Sequence, residues 1–185
     1  MLPDQLRRFM RYINRFFMVP LFRLGLGALM ANPFTGYIMV IKSIGRKSGK
    51  LRYTPVNYAI HQGCIYCMAG WGRVSDWYRN LRAVPQTDFI LPGGTIAGAV
   101  DEITDPVERC FLLRLILQNS GFAGYLEGFN PRTVTDEQLL ARTGDAPLLR
   151  IRPVGLGSGP YDAGGWAWIW VFLVSLLLIL WLILR

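Results

Sequence analysis

Histidine is almost absent from this chain of 185 residues, because His61 is its only example. It stands in the short turn His-Gln-Gly at 61–63, and a lone histidine in a turn is typically a surface residue. The sequence therefore contains no Ser-His-Asp set and no histidine cluster for a metal ion. We assign His61 no role and expect no metal site.

Cysteine is also scarce, with three in the chain. Cys64 and Cys67 have the Cys-x-x-C spacing of redox and metal sites. They fall in GCIYCMAG, a segment typical of a β-strand, where residues three apart face opposite sides of the sheet. No second pair is present to complete a zinc site. We therefore predict strand or core cysteines, whose unpaired thiols fit a reducing cytoplasm.

Acidic residues are outnumbered, with 12 against 20 basic ones and a formal net charge of +8. The excess of positive charge favours an anionic partner. The candidates are anionic lipid, an anionic cofactor and nucleic acid. Nucleic acid ranks last and is not expected as a partner, because no base-reading helix or sheet motif is present. Asp101 and Glu102 are adjacent, so they alternate across a strand and form no acid/base pair.

A long apolar run closes the chain. Residues 166–184 contain no charge, proline or glycine. At about 1.5 Å per residue the run measures roughly 28 Å, close to the thickness of a bilayer core. It predicts a single transmembrane helix after a Gly-rich linker, 155–165. Arg150 and Arg152 precede it, which favours a single-pass protein of the cell membrane with its N-terminal domain in the cytoplasm.

The N-terminal residues 2–17 form a basic amphipathic pattern. Apolar residues recur at three- and four-residue steps, and Arg7, Arg8, Arg11 and Arg15 occupy much of the rest. Such a helix either lies in a lipid headgroup layer or packs on the domain with its arginines in solvent. We favour the membrane interpretation, and treat residues 1–34 as an N-terminal helical segment.

Between 35 and 154 the composition predicts one domain. The segments 35–45, 50–60 and 64–70, then 86–91, 95–103 and 146–154, are rich in β-branched and aromatic residues. Short turns join most of them, so the sheet should be largely antiparallel. We predict an α+β fold with a small closed or split barrel and flanking helices.

Three polar residues mark helix starts. Ser75 precedes a short helix that ends before Pro85, and Asp105 precedes Pro106 and a helix to about Asn119. Thr135 precedes a third helix that stops at Gly144. We predict that all three side chains cap their helices.

The segment IGRKSGKLRYTPV, 44–56, is the strongest candidate for binding chemistry. It places four basic side chains around two glycines and Ser48 in a tight connection between strands. Forked arginine donors and lysine charges suit phosphate or carboxylate groups. A basic hairpin tip is also often only solvated, and residue types alone leave both interpretations open.

A family resemblance adds to this interpretation. The segment 44–56 is followed by AGWG (69–72), DWYRNLRAVP (76–85) and the strand PLLRIRPV (147–154). In this order and spacing the motifs resemble the deazaflavin-dependent nitroreductase family, which uses coenzyme F420. The resemblance covers about 36–154. It implies a split β-barrel of the flavin-reductase type and a deazaflavin in a cleft, with FMN as the alternative cofactor.

The resemblance also implies site residues. The loop that holds the cofactor's anionic tail matches Arg46, Lys47 and Ser48, and the strand beside it matches Arg52, Thr54 and Pro55. The segment near the ring matches Met68, Ala69 and Gly70, and the closing helix matches Trp77, Tyr78 and Asn80. Some members carry Ser-Lys where this chain has Ala69 and Gly70. The catalytic residue is unknown, and Tyr125 is a weak candidate.

Two functions follow from these patterns. The first is a membrane-anchored oxidoreductase that passes hydride from reduced deazaflavin to a lipophilic acceptor such as a quinone, because quinones reside in the bilayer. The alternative is a non-catalytic accessory or scaffold subunit of a larger membrane complex that retains the fold.

Overall fold

A closed barrel of six strands forms the body of the protein in the computed structural model, which describes residues 4–125, 128–144, 146–157 and 167–184. Its strand order is β1-β2-β3-β6-β5-β4, and every pairing is antiparallel. The strands are β1 (Ile38–Ile44), β2 (Leu51–His61), β3 (Cys64–Met68), β4 (Gln86–Leu91), β5 (Gly94–Glu102) and β6 (Leu148–Leu156). The predicted α+β fold with a small, mostly antiparallel barrel is confirmed.

Helices flank the barrel in the predicted order. They are α1 (Asp4–Ile13), α2 (Val19–Arg23), α3 (Asp76–Ala83), α4 (Pro106–Gln118), α5 (Asp136–Thr143) and α6 (Ala167–Ile183). A π-helical turn, Asn14–Met18, joins α1 to α2.

Two of the three predicted caps are confirmed. The Asp105 carboxylate accepts a hydrogen bond from the Glu108 amide at 2.8 Å, and the Thr135 hydroxyl accepts one from the Gln138 amide at 3.3 Å. The Ser75 prediction is wrong: the residue precedes α3 with extended backbone, but its side chain makes no capping bond.

Two apolar cores lie on opposite faces of the barrel wall. Met39, Ile41, Phe89 and Ile151 fill the interior, whereas α4, with α5 packed on it, covers β2 and β3 from outside. Cys67 belongs to the interior core and Cys64 packs against the outer one, so the predicted opposition of the two thiols is confirmed. Burial raises the pKa of the Cys67 thiol to about 12, which makes it a poor nucleophile. Among the described residues no cluster is suited to a metal ion.

The seam between β1 and β4 closes the barrel with little backbone pairing. Only Val40 with Ile90 and Ile41 with Phe89 stand in register there. Side chains reinforce the seam: Lys42 Nζ of β1 donates to an Asp88 carboxylate oxygen of β4 at 2.9 Å, and the Lys42 side chain is nearly buried. The Thr87 hydroxyl also donates to the Lys42 carbonyl.

The N-terminal segment packs on the barrel through its second half. Met18 and Phe22 are buried with Val40 of β1, while Ile13 and Val19 pack around them. The aromatic side chains of the first half remain exposed, namely Phe9, Tyr12, Phe16 and Phe17. The helix is therefore held at one end and presents aromatic rings at the surface.

The C-terminal helix α6 contains 17 residues, Ala167–Ile183. Its described side chains, from Val171 onward, are all exposed. Within the described part of the chain no helix has both the length and the apolarity needed to cross a membrane, so the transmembrane helix predicted over 166–184 is not confirmed. Strand β6 runs two residues into the predicted linker, and residues 158–165 of that linker lie outside the described residues.

Candidate cofactor-binding cleft

Two adjoining cavities lie where the N-terminal segment crosses strand β2, and together we call them the cleft. The first, the basic end, measures about 640 Å³, and the second, the apolar end, about 400 Å³. Both are lined by Arg11, Asn14, Thr54 and Pro55, so they adjoin along one side of β2. These volumes lie in the ordinary range for small-molecule sites.

The basic end is lined by four arginines. Arg8, Arg11 and Arg15 come from the N-terminal segment and Arg52 from β2, and no described acidic residue lines it. All four side chains are exposed, so they remain hydrated while they concentrate positive charge. The arrangement suits a ligand that carries several negative charges.

The apolar end combines large hydrophobic side chains with polar ones, which include Asn14, Asn57 and Asp76. Met68 ends β3, Trp71 follows it in the connection, and Trp77 lies in the first turn of α3. Helix α4 contributes Ile116 and Leu117. Gly70 adds no side chain at this wall, which leaves the backbone open to a ligand. Such a surface suits a flat apolar ring, because aromatic and thioether groups pack well against ring faces.

The structure brings six of the predicted site residues into the cleft. Arg52 lines the basic end, Met68, Gly70 and Trp77 line the apolar end, and Thr54 and Pro55 line both. Strand β2 positions Arg52, Thr54 and Pro55. The end of β3, the turn after it and the start of α3 position Met68, Gly70 and Trp77, respectively.

Arg46 and Asn80 join two elements that frame the cleft. The buried Asn80 side chain of α3 accepts hydrogen bonds from the Arg46 amide and guanidinium, both at 3.2 Å. Arg46 also pairs with Asp76 at 3.0 Å. These bonds tie the turn between β1 and β2 to α3. Arg46 is thus engaged within the protein, and we interpret both residues as positioning groups.

The other predicted site residues lie elsewhere. Lys47 and Ser48 are exposed at the tip of the turn, where the Ser48 hydroxyl accepts from the Lys50 amide at 3.4 Å. Ala69 is buried in the interior core. Tyr125 is half exposed at the end of a 3₁₀ turn and is not among the described residues that line the cleft.

Tyr78 faces away from the cleft, toward a separate cavity of about 250 Å³. Its hydroxyl donates to the Glu102 carboxylate at 2.8 Å and accepts from Arg73 at 2.8 Å. Burial alone would raise the pKa of Glu102, but hydrogen bonds from Tyr78 and Arg73 outweigh it and hold that pKa below its ordinary value. The cluster stabilises the barrel wall behind the cleft.

Sequence reasoning missed several residues of the cleft. The amphipathic pattern of residues 2–17 predicts a membrane surface for Arg8, Arg11 and Arg15, and no motif predicts a ligand role for Asn14, Trp71 or Ser75. The basic periodicity of the N-terminal helix was visible, but the surface that it faces is set by tertiary packing. Trp71 stands inside the recognised segment 69–72 and was detectable there.

A comparison with protein families matches residues 23–134, more than half of the chain, to the family described as F420H(2)-dependent quinone reductase. The chain belongs to this family. Coenzyme F420 is therefore its cofactor, and the protein is a deazaflavin-dependent reductase. The match supports the deazaflavin dependence predicted from the motifs, while the family description names a quinone reductase.

Several solved structures are similar to this member of the quinone reductase family. Rv2991, a conserved hypothetical protein from Mycobacterium tuberculosis, is 19% identical, with 63% of this chain and 72% of that one covered and a TM-score of 0.49. An F420 reductase is 19% identical, with 66% and 90% covered and a TM-score of 0.43. An F420-H2 dependent reductase, FDR-A, is 18% identical, with 62% and 93% covered and a TM-score of 0.42. No curated protein sequence matches.

The described residues fit the cofactor of the family. F420 combines a flat deazaflavin ring with a phosphate and an oligoglutamate tail. The four arginines of the basic end offer forked donors to such anions. The apolar end offers two thioethers and two indoles to the ring. Because both ends adjoin at Thr54 and Pro55, one elongated ligand can occupy them together.

Proposed function

We propose that this protein reduces a quinone with reduced coenzyme F420 at a membrane surface. The observation that carries the proposal is the cleft itself, whose arginine-lined end adjoins an end lined by methionine and tryptophan. When bound, reduced F420 supplies a hydride, which together with a proton converts the quinone to its quinol while the cofactor is oxidised.

The residues of the cleft bind and orient rather than react. Arg8, Arg15 and Arg52 neutralise anionic groups at the basic end. Met68 and Trp77 exclude water from the apolar end, which favours transfer between two flat rings over loss to solvent. Holding both reactants in contact lowers the entropic part of the barrier.

Exposed apolar surface supports the membrane part of the proposal. Phe9, Phe16 and Phe17 are more than half exposed beside the arginines of the N-terminal segment, a combination that favours anionic lipid surfaces. The exposed apolar side chains of α6 add a second attachment to the bilayer. Two weak attachments on one chain reinforce each other. We place the barrel on the cytoplasmic side.

Binding and turnover of the full-length protein test this function. The protein, in lipid nanodiscs, is titrated with F420 and followed by cofactor fluorescence, and then reduced F420 and a soluble quinone such as menadione are supplied. We expect saturable binding and quinone-dependent oxidation of the cofactor. Negligible F420 binding would refute the proposal that the protein is an enzyme and would favour the accessory-subunit alternative. Binding without quinone reduction would refute the acceptor.

A further inference from the structure

Ser75 has a side chain that the fold buries and does not use. The residue is 4% exposed, and among the described residues its hydroxyl has no hydrogen-bond partner. It lines the apolar end of the cleft. Buried hydroxyls without partners are uncommon, because desolvation without a hydrogen bond is costly.

The local backbone does not require the hydroxyl. The Ser75 amide donates to the Gly72 carbonyl at 3.2 Å, and its own carbonyl accepts from the Arg79 amide at 3.1 Å. A serine before a helix ordinarily caps it, but this side chain makes no such bond to α3. Both backbone groups are therefore satisfied, and the hydroxyl remains available to a ligand.

The surroundings of the hydroxyl determine what it would bind. Met68, Trp71 and Trp77 line the same cavity together with polar side chains such as Asn57 and Asp76, so the cavity suits a flat ring with polar groups at its edge. A hydroxyl is neutral and can donate to a carbonyl oxygen or accept from an N–H group. Deazaflavin and quinone rings both carry carbonyl oxygens at their edges.

We propose that the Ser75 hydroxyl donates a hydrogen bond to a carbonyl oxygen of the ring bound in the apolar end. Ser75 is then a binding residue that sets the orientation of that ring in its plane. This inference rests on the proposed function, because it takes the ring from F420 or from the quinone. The two sources share the carbonyl chemistry and are separated by experiment.

The chain supplies a matched control in Ser120. This serine is also 4% exposed and lines the same cavity, but its hydroxyl donates to the Ile116 carbonyl of its own helix at 2.6 Å. Removal of either hydroxyl takes one oxygen from the same cavity wall. Only the Ser75 change removes a group that is free for a ligand.

The test compares Ser75→Ala, Ser75→Thr and Ser120→Ala in the full-length protein, with F420 affinity from fluorescence, KM for menadione, and the melting temperature without ligand. We expect Ser75→Ala to weaken F420 binding, or to raise the quinone KM, about three- to tenfold, the range of one neutral hydrogen bond. Its melting temperature should hold or rise, because an unsatisfied buried group is removed. Ser75→Thr should recover most of the loss. A change in F420 affinity assigns the bond to the cofactor, and a change confined to KM assigns it to the quinone.

Three outcomes would overturn the inference. If Ser75→Ala matches Ser120→Ala in both titrations, the hydroxyl binds neither ring. If Ser75→Thr is as weak as Ser75→Ala, space rather than hydrogen bonding is responsible. If Ser75→Ala lowers the melting temperature and leaves both titrations unchanged, the hydroxyl acts within the fold. Normal wild-type binding in each case would keep the proposed function intact, so the two failures are distinguishable.

Discussion

At the scale of single residues, the basic side chains of the turn and of β2 have different tasks. Arg52 lines the basic end of the cleft, Arg46 is paired with Asp76 and Asn80, and Lys47 is exposed at the tip. The sequence motif groups them as one anion cradle. Their contacts show three different environments. Arg52 faces the ligand cavity, Arg46 positions neighbouring elements, and Lys47 is solvated.

Arg52→Ala should weaken F420 binding by about tenfold, the effect of one charge-assisted hydrogen bond to an exposed anion. Rising salt should weaken wild-type binding and affect the variant less. Fluorescence titration measures both. Lys47→Ala is the control, and we expect a smaller loss because its charge stays in solvent. Equal losses for the two variants would mean that only net charge matters.

Asn80→Ala should destabilise the protein by about 1–3 kcal/mol, because the amide and guanidinium of Arg46 lose a buried hydrogen-bond acceptor. Asn80 is buried and accepts from both the amide and the guanidinium of Arg46. Urea denaturation measures the free energy of unfolding. Arg79→Ala, on an exposed position of the same helix, should cost less. If Asn80→Ala and Arg79→Ala lower the free energy of unfolding equally, the positioning role of Asn80 is refuted.

Glu102→Gln should alter stability in a pH-dependent way. The pKa of Glu102 lies below its ordinary value of 4.5, so ionisation stabilises the fold above that pH. The stabilisation is lost as pH falls through the lowered pKa. At neutral pH we expect the variant to be about 1–2 kcal/mol less stable than wild type, since charge-assisted hydrogen bonds to a partly buried carboxylate are lost.

Urea denaturation at several pH values checks this expectation. The difference between wild type and Glu102→Gln should shrink progressively below pH 4.5. The exposed Glu137 serves for comparison, and Glu137→Gln should show little difference at any pH. A difference for Glu102→Gln that persists unchanged in acid would show that ionisation contributes nothing.

At the scale of elements, the sequence predicted the barrel and its helices from local signals. Asp105 and Thr135 cap their helices because the amide that each side chain binds lies only three residues further along the chain. Ser75 also precedes a helix, but its side chain makes no capping hydrogen bond. Trp77 and Tyr78 were assigned to one site by resemblance, but successive helical residues point about 100° apart, so Tyr78 faces Glu102 instead.

The N-terminal helix was the least predictable element for the same kind of reason. Its amphipathic period was clear, but whether its arginines face lipid, solvent or another element depends on how residues 14–23 dock on the barrel. Met18 and Phe22 make that contact. The arginines Arg8, Arg11 and Arg15 consequently line the cleft.

Arg11→Gln should therefore weaken F420 binding by about three- to tenfold, because Arg11 lines both ends of the cleft. Arg132→Gln removes the same charge from an exposed site that does not line the cleft and should change affinity little. Fluorescence titration at fixed salt measures both. Similar small effects would mean that the helix arginines are only solvated or bind lipid.

At the scale of the whole molecule, the folded domain ends later than the linker composition implied. Leu156 pairs with Ile96, and the Gly157 amide donates to the Thr95 carbonyl at 2.9 Å. A chain that stops after Gly157 keeps strand β6 intact. It should fold and should bind anionic vesicles only at low salt, through the N-terminal segment.

Vesicle sedimentation of the truncated and full-length proteins tests this expectation. We expect the full chain to stay bound in high salt, because apolar attachment through α6 is not screened by ions. A truncated protein that sediments equally well in high salt would show that α6 is dispensable for attachment. Circular dichroism of the truncated protein checks that it is folded.

The weakly paired seam between β1 and β4 has a consequence for how the protein folds. The strands β1, β2 and β3 follow one another through short turns, as do β4 and β5, so both groups can form from local contacts. The seam instead joins residues 46 apart, such as Lys42 and Asp88, and offers few backbone bonds in return. Closure of so distant a contact is entropically unfavourable until the flanking sheets exist. Refolding should therefore end at this seam. The amide of Val40 faces β4, because Val40 stands opposite Pro55 of β2 and successive amides of a strand alternate in direction. That amide should be among the last in the barrel to gain protection in pulse-labelled hydrogen exchange.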